Sequence, residues 1–355
     1  MDIIGLMSGT SLDGLDIAHC SFENKDGKYS YQINAAETIS FPDSLLWKIK
    51  NAQLLSGRDL MQLDAELGIY FGEKTNEFLC QNKLRANYIA SHGQTIFHEP
   101  ANGFTTQIGH GAHIYAQTQI PTICDFRSLD VALGGNGAPL VPIGDLLLFN
   151  EFDFCLNLGG FANISIKKEQ NIEAFDICAC NYVLNYLCNK IDLEYDENGK
   201  IASENEVDSH LIKELDNLAF YKTTGPKSLG REWVEKEIFP ILENADCSVE
   251  QKIATFSEHI AQQISYTLHK NFAFFGTQKL LVTGGGAYNQ FIISKMQKYT
   301  KNNLEIIVPT NEIINFKEAL IFAFLGYLKV LGKDNTLKSV TGATKNSIGG
   351  VVYGG

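Results

Sequence analysis

Asp2-Ile3-Ile4-Gly5-Leu6-Met7-Ser8, then Gly9-Thr10-Ser11-Leu12-Asp13-Gly14, then Leu15-Asp16-Ile17-Ala18-His19-Cys20-Ser21-Phe22 is the stretch on which the reading of the fold turns. The first segment is apolar and extended, the second is made of turn-forming residues, and the third alternates like a strand. A further extended segment, Tyr29 to Phe41, completes a meander. The same order returns at Phe152-Asp153-Phe154-Cys155-Leu156-Asn157-Leu158, Gly159-Gly160 and Phe161-Ala162-Asn163-Ile164-Ser165-Ile166. Residue identity between the two stretches is poor, but the order of strand, glycine turn and strand is shared, which points to a structural duplication.

Between the copies lies Gly134-Gly135-Asn136-Gly137-Ala138-Pro139, composition suited to an interdomain crossing with a hinge near residue 135. The expected division is an N-terminal domain of residues 1–133 plus 332–355 and a C-terminal domain of residues 134–331 with helical insertions, both α/β. Leu60, Leu63, Leu67, Tyr70 and Phe71 share one helical face. A short strand, Asn87 to Ser91, should precede a polar loop, His92-Gly93-Gln94-Thr95, with another strand near Pro121 to Phe126. Asp192 to Asp216 reads as a solvated loop plus surface helix. Ser248 and Gln251 have capping-box spacing ahead of Ile253, Phe256, Ile260, Ile264 and Leu268, which predicts a helix over Val249 to Lys270. Lys279 to Val282 is a buried-strand run ended by Thr283-Gly284-Gly285-Gly286, with a helix around Phe291 to Tyr299 after it. A strand from Leu304 to Val308 and an interior helix from Asn315 to Val330 follow.

Composition sets the outer limits. The 355 residues are 45% hydrophobic and 20% charged, enough for a large core in about two domains. With 29 basic against 41 acidic residues and net charge −12, a general nucleic-acid or anionic-membrane binder is disfavoured, because such proteins gain affinity from basic patches. The longest apolar run, Ala319 to Leu328, is short of the roughly 20 residues of a spanning helix. Met1-Asp2-Ile3-Ile4 lacks a basic n-region, so a cytoplasmic protein is expected. The eight cysteines are scattered and often lie in apolar runs, as buried free thiols do.

Glycine is ordinary in amount, 31 residues, and unusual only in placement. Three glycine turns each follow an apolar strand: Met7 to Gly14, Asn157 to Ala162, and Thr283 to Tyr288. Such turns let backbone N–H groups converge on an anion, and three of them suggest two domains clamping a polyphosphate. No Walker pattern is present.

The chain resembles the anhydro-N-acetylmuramic acid kinases of the actin, hexokinase and Hsp70 ATPase superfamily. The resemblance rests on Met7 to Asp16, Ser91-His92-Gly93-Gln94-Thr95, Gln107-Ile108-Gly109, Asp125-Phe126-Arg127, Gly134 to Pro142, Asn157 to Ile164, Pro226-Lys227-Ser228-Leu229-Gly230-Arg231-Glu232, Gly284-Gly285-Gly286-Ala287 and Ser339-Val340-Thr341-Gly342-Ala343. It implies two duplicated ribonuclease H-like domains with ATP in the cleft. It also implies an enzyme that opens the internal 1,6-anhydro bond of its amino sugar with water while phosphorylating O6, in peptidoglycan recycling. Mg²⁺ accompanying ATP and a homodimer are further expectations of the resemblance.

That chemistry needs a carboxylate to deprotonate the attacking water. The resemblance assigns this role to Asp176, in Ala174-Phe175-Asp176-Ile177-Cys178-Ala179-Cys180-Asn181, and a second sugar-side carboxylate to Glu318. Read from the residues alone, Asp176 serves equally well as the N-cap of a following helix. ATP and phosphate contacts are expected from Gly9, Thr10, Ser11, Leu12, Asp13, Gly14, Leu15, Asp16, Asn157, Gly159, Gly160, Gly284, Gly285 and Gly286. No metal ligand is assigned directly, although Mg²⁺ is expected near Asp13 or Asp16, whose other reading is turn capping. His92, Gln94, Thr95, Arg127 and Asp130 are candidate sugar contacts. Arg127 suits a substrate carboxylate or a structural pair with Asp130 or Asp125. Lys227 and Arg231 match a family motif without a derivable role.

The family usually continues its aspartate as Asp-Thr-Gly-Pro, a small residue and Asn, whereas this chain places Ile177-Cys178-Ala179-Cys180 between Asp176 and Asn181. A nucleotide- or sugar-binding sensor of the same fold, altered at its catalytic loop, is therefore the second reading. A kinase of an open-chain sugar is the third. His92, His98, His110 and His113 cluster in sequence with only Glu99 nearby, a poor zinc pattern.

Overall fold

β1 (Asp2–Ser8) is buried along most of its length and pairs with strands on both sides, antiparallel to β2 (Leu15–Lys25) and parallel to β4 (Tyr88–Glu99). β3 (Lys28–Ile39) continues the antiparallel meander and alternates exposed with half-buried residues, as an edge strand does. β6 (Thr122–Cys124) runs parallel to β4, β12 (Val351–Tyr353) runs antiparallel to β6, and β5 (Phe104–Ile108) pairs off the end of β4. The sheet order is β12-β6-β4-β1-β2-β3. The computed structural model describes residues 1–9, 12–168, 171–223, 227–271, 276–301 and 304–355.

The second sheet repeats this plan. β7 (Phe154–Leu158), β8 (Phe161–Lys168) and β9 (Asn171–Ala179) form an antiparallel meander. β10 (Gln278–Thr283) is parallel to β7 and β11 (Leu304–Ile307) is parallel to β10, giving the order β11-β10-β7-β8-β9. In both sheets a three-strand meander is extended by two parallel strands on the side of its first strand. That shared topology is the ribonuclease H-like arrangement, present twice.

The chain forms two compact units, Met1–Phe149 with Phe316–Gly355 and Asn150–Asn315. The glycine-rich stretch, expected to hold the hinge, instead lies inside the first unit, and the expected divisions at 133/134 and 331/332 move accordingly. Asp130, almost fully buried, accepts hydrogen bonds from Gly137 N (2.8 Å) and the Thr341 hydroxyl (2.8 Å), and Asn136 N donates to Thr341 O (2.8 Å). These contacts tie the stretch into the first unit. The following helix, Pro142–Leu147, is held by a buried ion pair, Lys317 Nζ to Asp145 Oδ1 at 2.7 Å.

Lys317 belongs to the helix Asn311–Val330, which starts earlier than expected. It lies closely against β1: a Cβ built on Gly5 would fall 1.9 Å from the carbonyl oxygen of Ala319. Among the described residues, no helix is long and apolar enough to cross a membrane.

In the second unit the helix Val249–Asn271 is almost as expected, with the capping box formed by Ser248 N donating to Gln251 Oε1 (3.3 Å) and Gln251 N to Ser248 Oγ (3.2 Å). Its buried residues Ile253, Phe256, Ile260, Ile264 and Leu268 join one core with β7 and β10. The acidic stretch Asp192–Asp216 holds short helices at Lys200–Glu204 and Ser209–Asp216, more ordered than a loop with one helix.

Two local expectations change. His92 to Thr95 is not a loop but the middle of β4, because Gln94 pairs with Ser8 of β1 on one side and Ile108 of β5 on the other. Asp176 does not begin a helix; β9 continues to Ala179 and the helix Asn181–Asn189 starts after it. Ile177, Cys178, Ala179 and Cys180 are buried, so that segment is drawn into the core, the first three residues as strand and Cys180 at the start of the following helix.

Two stability tests follow. Gly5→Ala forces a methyl into backbone and should lower unfolding stability by about 3 kcal/mol in urea titrations. Asp130→Ala leaves the Gly137 N–H unpaired in the interior and the Thr341 hydroxyl with the Leu337 carbonyl, at 3.3 Å, as its acceptor, and a loss of about 2 kcal/mol is expected by the same measurement.

Candidate active site

The first unit gathers its polar groups where β1, β4 and the helix Asn311–Val330 approach one another. Ser8, at the end of β1, donates to Gln94 Oε1 at 2.5 Å, and both side chains are buried. His92 is nearly fully buried with its ring 4.6 Å from that of Phe322. Arg127 reaches His92 through Nε (3.1 Å) and Nη2 (2.9 Å) and donates through Nη1 to Gly137 O (2.7 Å). A guanidinium only donates, so Nε2 of His92 is the acceptor and Nδ1 carries the proton, donated to Gly93 O at 2.8 Å.

Burial and then the Arg127 charge depress the His92 pKa to about 3, so this imidazole is neutral near pH 7. Burial lowers Arg127 to about 10, opposed by Glu318, and it remains a cation. Glu318 is half-buried. Burial raises its pKa, while Arg127 pulls it down, Asp16 pushes it up and Lys317 pulls it down. Asp16 accepts from the Thr38 hydroxyl at 2.6 Å; burial raises it, Thr38 opposes this, and Asp13 adds to it. Asp16, Arg127, His92 and Glu318 therefore form one electrostatically linked group.

Asp13 is exposed at the turn, whose Leu12 N donates to Gly9 O at 3.2 Å. Leu15 is fully buried and Leu12 packs against the core, so neither side chain faces a ligand. Thr10, Ser11 and Pro226 lie outside the described residues. Thr95 accepts from Gln107 Nε2 at 3.3 Å. Asp130 is 1% exposed, and its two carboxylate oxygens accept from Gly137 N and the Thr341 hydroxyl, contacts that tie the loop inside the first unit. Arg127 pairs with His92 and Gly137 rather than with Asp130 or Asp125.

The second unit brings its two glycine turns together. Asn157 sits opposite Asn163 on β8 and Thr283 on β10. Gly284, at φ 78°, packs so closely that a Cβ would lie 2.4 Å from Asn157 Oδ1 and 2.8 Å from the Leu158 carbonyl carbon. The Gly159 and Gly160 carbonyls accept from Asn181 N (3.1 Å), Cys180 N (2.9 Å) and Tyr182 N (3.1 Å), which fixes the turn to the start of the next helix. Asn181 Nδ2 donates to Leu158 O at 2.9 Å, and its side chain lies beside Gly285 and Gly286.

Asp176 lies at a bulge in β9. Ala162 pairs with Cys178 and Asn163 with Asp176, leaving Ile177 as the extra residue. The Asp176 N–H donates to Lys227 O at 2.9 Å, and its Oδ2 accepts from Leu229 N at 2.8 Å. Oδ1 has no hydrogen-bond partner among the described residues. Burial raises the pKa of this carboxyl and the Leu229 N–H holds it back. A half-buried carboxylate with one oxygen pinned and the other unengaged is equipped to take a proton from water.

Sequence reasoning omitted Ser8, Asn181 and Leu229 from the site. Asn181 was visible as the asparagine closing the Asp176 segment. Leu229 acts through its backbone N–H, which leaves no side-chain signature.

The family model for anhydro-N-acetylmuramic acid kinase matches residues 1–355. A protein of that name from Sulfurovum sp. (strain NBC37-1) is 33% identical over 368 residues, covering 99% of this chain and 98% of its own. One from Francisella tularensis subsp. novicida (strain U112) is 32% identical over 375 residues, covering 98% and 97%. One from Bacillus cereus (strain AH187) is 30% identical over 381 residues, covering 99% of each. With a whole-length match on a duplicated ribonuclease H-like topology, the chain belongs to the anhydro-N-acetylmuramic acid kinase family.

Proposed function

We propose that this protein opens the 1,6-anhydro bond of anhydro-N-acetylmuramic acid with water and transfers the γ-phosphoryl group of ATP to the liberated O6, giving N-acetylmuramic acid 6-phosphate. The observation that carries the mechanism is Asp176, with Oδ2 held by Leu229 N–H and Oδ1 unengaged among the described residues. Asp176 takes the proton of the water that attacks the anomeric carbon. O6 departs with the electron pair of the broken C–O bond and takes up the phosphoryl group, so no separate acid need protonate it.

Arg127 and Glu318 orient the sugar, the cation facing its lactyl carboxylate and the carboxylate accepting from its polar groups. Neutral His92 locks the Arg127 fork. The turns at Gly159-Gly160 and Gly284-Gly285-Gly286 offer backbone N–H groups to the nucleotide, in a packing at Gly284 that a Cβ would obstruct. Asp13 and Asp16 fit Mg²⁺, which takes hard oxygen donors from one or two carboxylates together with phosphates. Bound there, Mg²⁺ would neutralise phosphoryl charge. The setting is amino-sugar metabolism in peptidoglycan recycling, in the cytoplasm, with a homodimer as the assembly.

The decisive assay supplies ATP, Mg²⁺ and either the anhydro sugar or N-acetylmuramic acid in ¹⁸O-water, and follows ADP and label at the anomeric carbon. Label at that carbon with the anhydro sugar is the expected result; turnover of only the open sugar would sink the ring-opening mechanism. Asp176→Asn should cut turnover by about 10³-fold while ATP binding by calorimetry is retained. On the pH profile, kcat/KM should fall with unit slope on the acid side through a pKa above the ordinary aspartate value of 3.8, since the base must be ionised and burial raises it. A limb at or below 3.8 would remove Asp176 as the base.

A further inference from the structure

Among the described residues β9 is the last strand of its sheet, with β8 as its strand partner, so its outer edge meets something other than a strand. At Asp176 the loop 227–230 meets this edge through Lys227 O, which accepts from the Asp176 N–H, and its Leu229 N–H donates to the Asp176 carboxylate. The Lys227 side chain ties this loop to a neighbouring helix. Its ammonium donates to Phe220 O at 2.8 Å and lies 4.0 Å from the Phe220 ring centroid and 5.9 Å from that of Tyr221.

The acceptor is itself held. Phe220 and Tyr221, in the short helix Ala219–Lys222, pack on Trp233 with ring centroids at 5.2 and 6.2 Å. Tyr221 also meets the edge of His259 at 4.9 Å, and His259, fully buried, has Nδ1 3.0 Å from Asp216 Oδ1. A packed aromatic corner is thus connected through one lysine to the loop that holds the carboxylate.

We propose that Lys227 is a positioning residue, whose ammonium closed on the Phe220 carbonyl holds the 227–230 loop so that Leu229 N–H aims the carboxylate of Asp176. The inference rests on the reading of Asp176 as the base, and it gives the Pro226 to Glu232 motif a task. The titratable groups around this corner are Lys227 itself, Cys178 on β9, Tyr221 and Asp216, and His259 and Lys270 from the helix Val249–Asn271. Of the contacts to Asp176, the Leu229 N–H is the one that lowers its carboxyl pKa. Losing that bond raises the pKa and frees the carboxylate to turn.

Two readouts test this. The first is ¹³C NMR titration of the Asp176 carboxyl, assigned by difference with Asp176→Asn, which requires no turnover. The second is kcat with the anhydro sugar and the KM for ATP. Lys227→Met should move the carboxyl titration to higher pH and lower kcat on the order of 10²-fold, with KM for ATP unchanged, because small misplacement of a reacting group costs about that much. Lys227→Arg, able to reach the same carbonyl and lie on the same ring, should restore most of both. Leu229→Pro, which removes the N–H donor as it replaces the side chain and fixes φ, should reproduce the Lys227→Met shift, and it carries the test if Lys227→Met does not fold. An unmoved Asp176 titration in the folded variants, or a Lys227→Arg protein no better than Lys227→Met, overturns the proposal. A wild-type protein that does not turn over the anhydro sugar, while the titrations move as expected, supports the positioning role and refutes the assigned reaction instead.

Discussion

The helix Asn311–Val330 lies on β1 with no room for a side chain at Gly5, and much of the first unit follows from that contact. With backbone against strand at Ala319, the neighbouring residues of the helix are fixed to within the tolerance of close packing. Lys317 is carried to Asp145, and Phe322 to the ring of His92. Glu318 is carried into the field of Arg127 and Asp16. The second unit uses the same device at Gly284, where the backbone rests on Asn157 and Leu158 and brings one glycine turn against another.

On this frame each candidate carboxylate is half-buried and offset by a limited set of partners. Asp176 has the Leu229 N–H, Asp16 the Thr38 hydroxyl and Glu318 the Arg127 charge. Burial raises all three while the partner holds each back, which is the balance suited to groups that must exchange protons or accept from a ligand. Arg127 faces a histidine held neutral, so its charge is not cancelled within the protein by the group it bonds most directly. The Ile177-Cys178-Ala179-Cys180 segment fits the same scheme. Its buried strand residues supply the bulge that sets Asp176 opposite Asn163, so the departure from the family pattern leaves the carboxylate held rather than loose.

The sequence by itself determined the duplicated strand, turn and strand units, the long helix over Val249–Asn271 with its capping box, and the family, because these depend on local periodicity, turn chemistry and motif order along the chain. It also singled out Asp176, Arg127 and Glu318. Tertiary structure alone decided where the units divide, since the Gly134–Pro139 stretch is held by Asp130 and Thr341, a partner distant in sequence. It decided that His92 to Thr95 is strand, because β1 and β5 pair on either side. It gave Asp130 the part of an internal tie, and it supplied Leu229, whose contribution is a backbone N–H common to nearly every residue type. Local order is written in side-chain pattern. Which buried donor meets which acceptor depends on the packing of segments far apart in the chain, and no spacing rule records it.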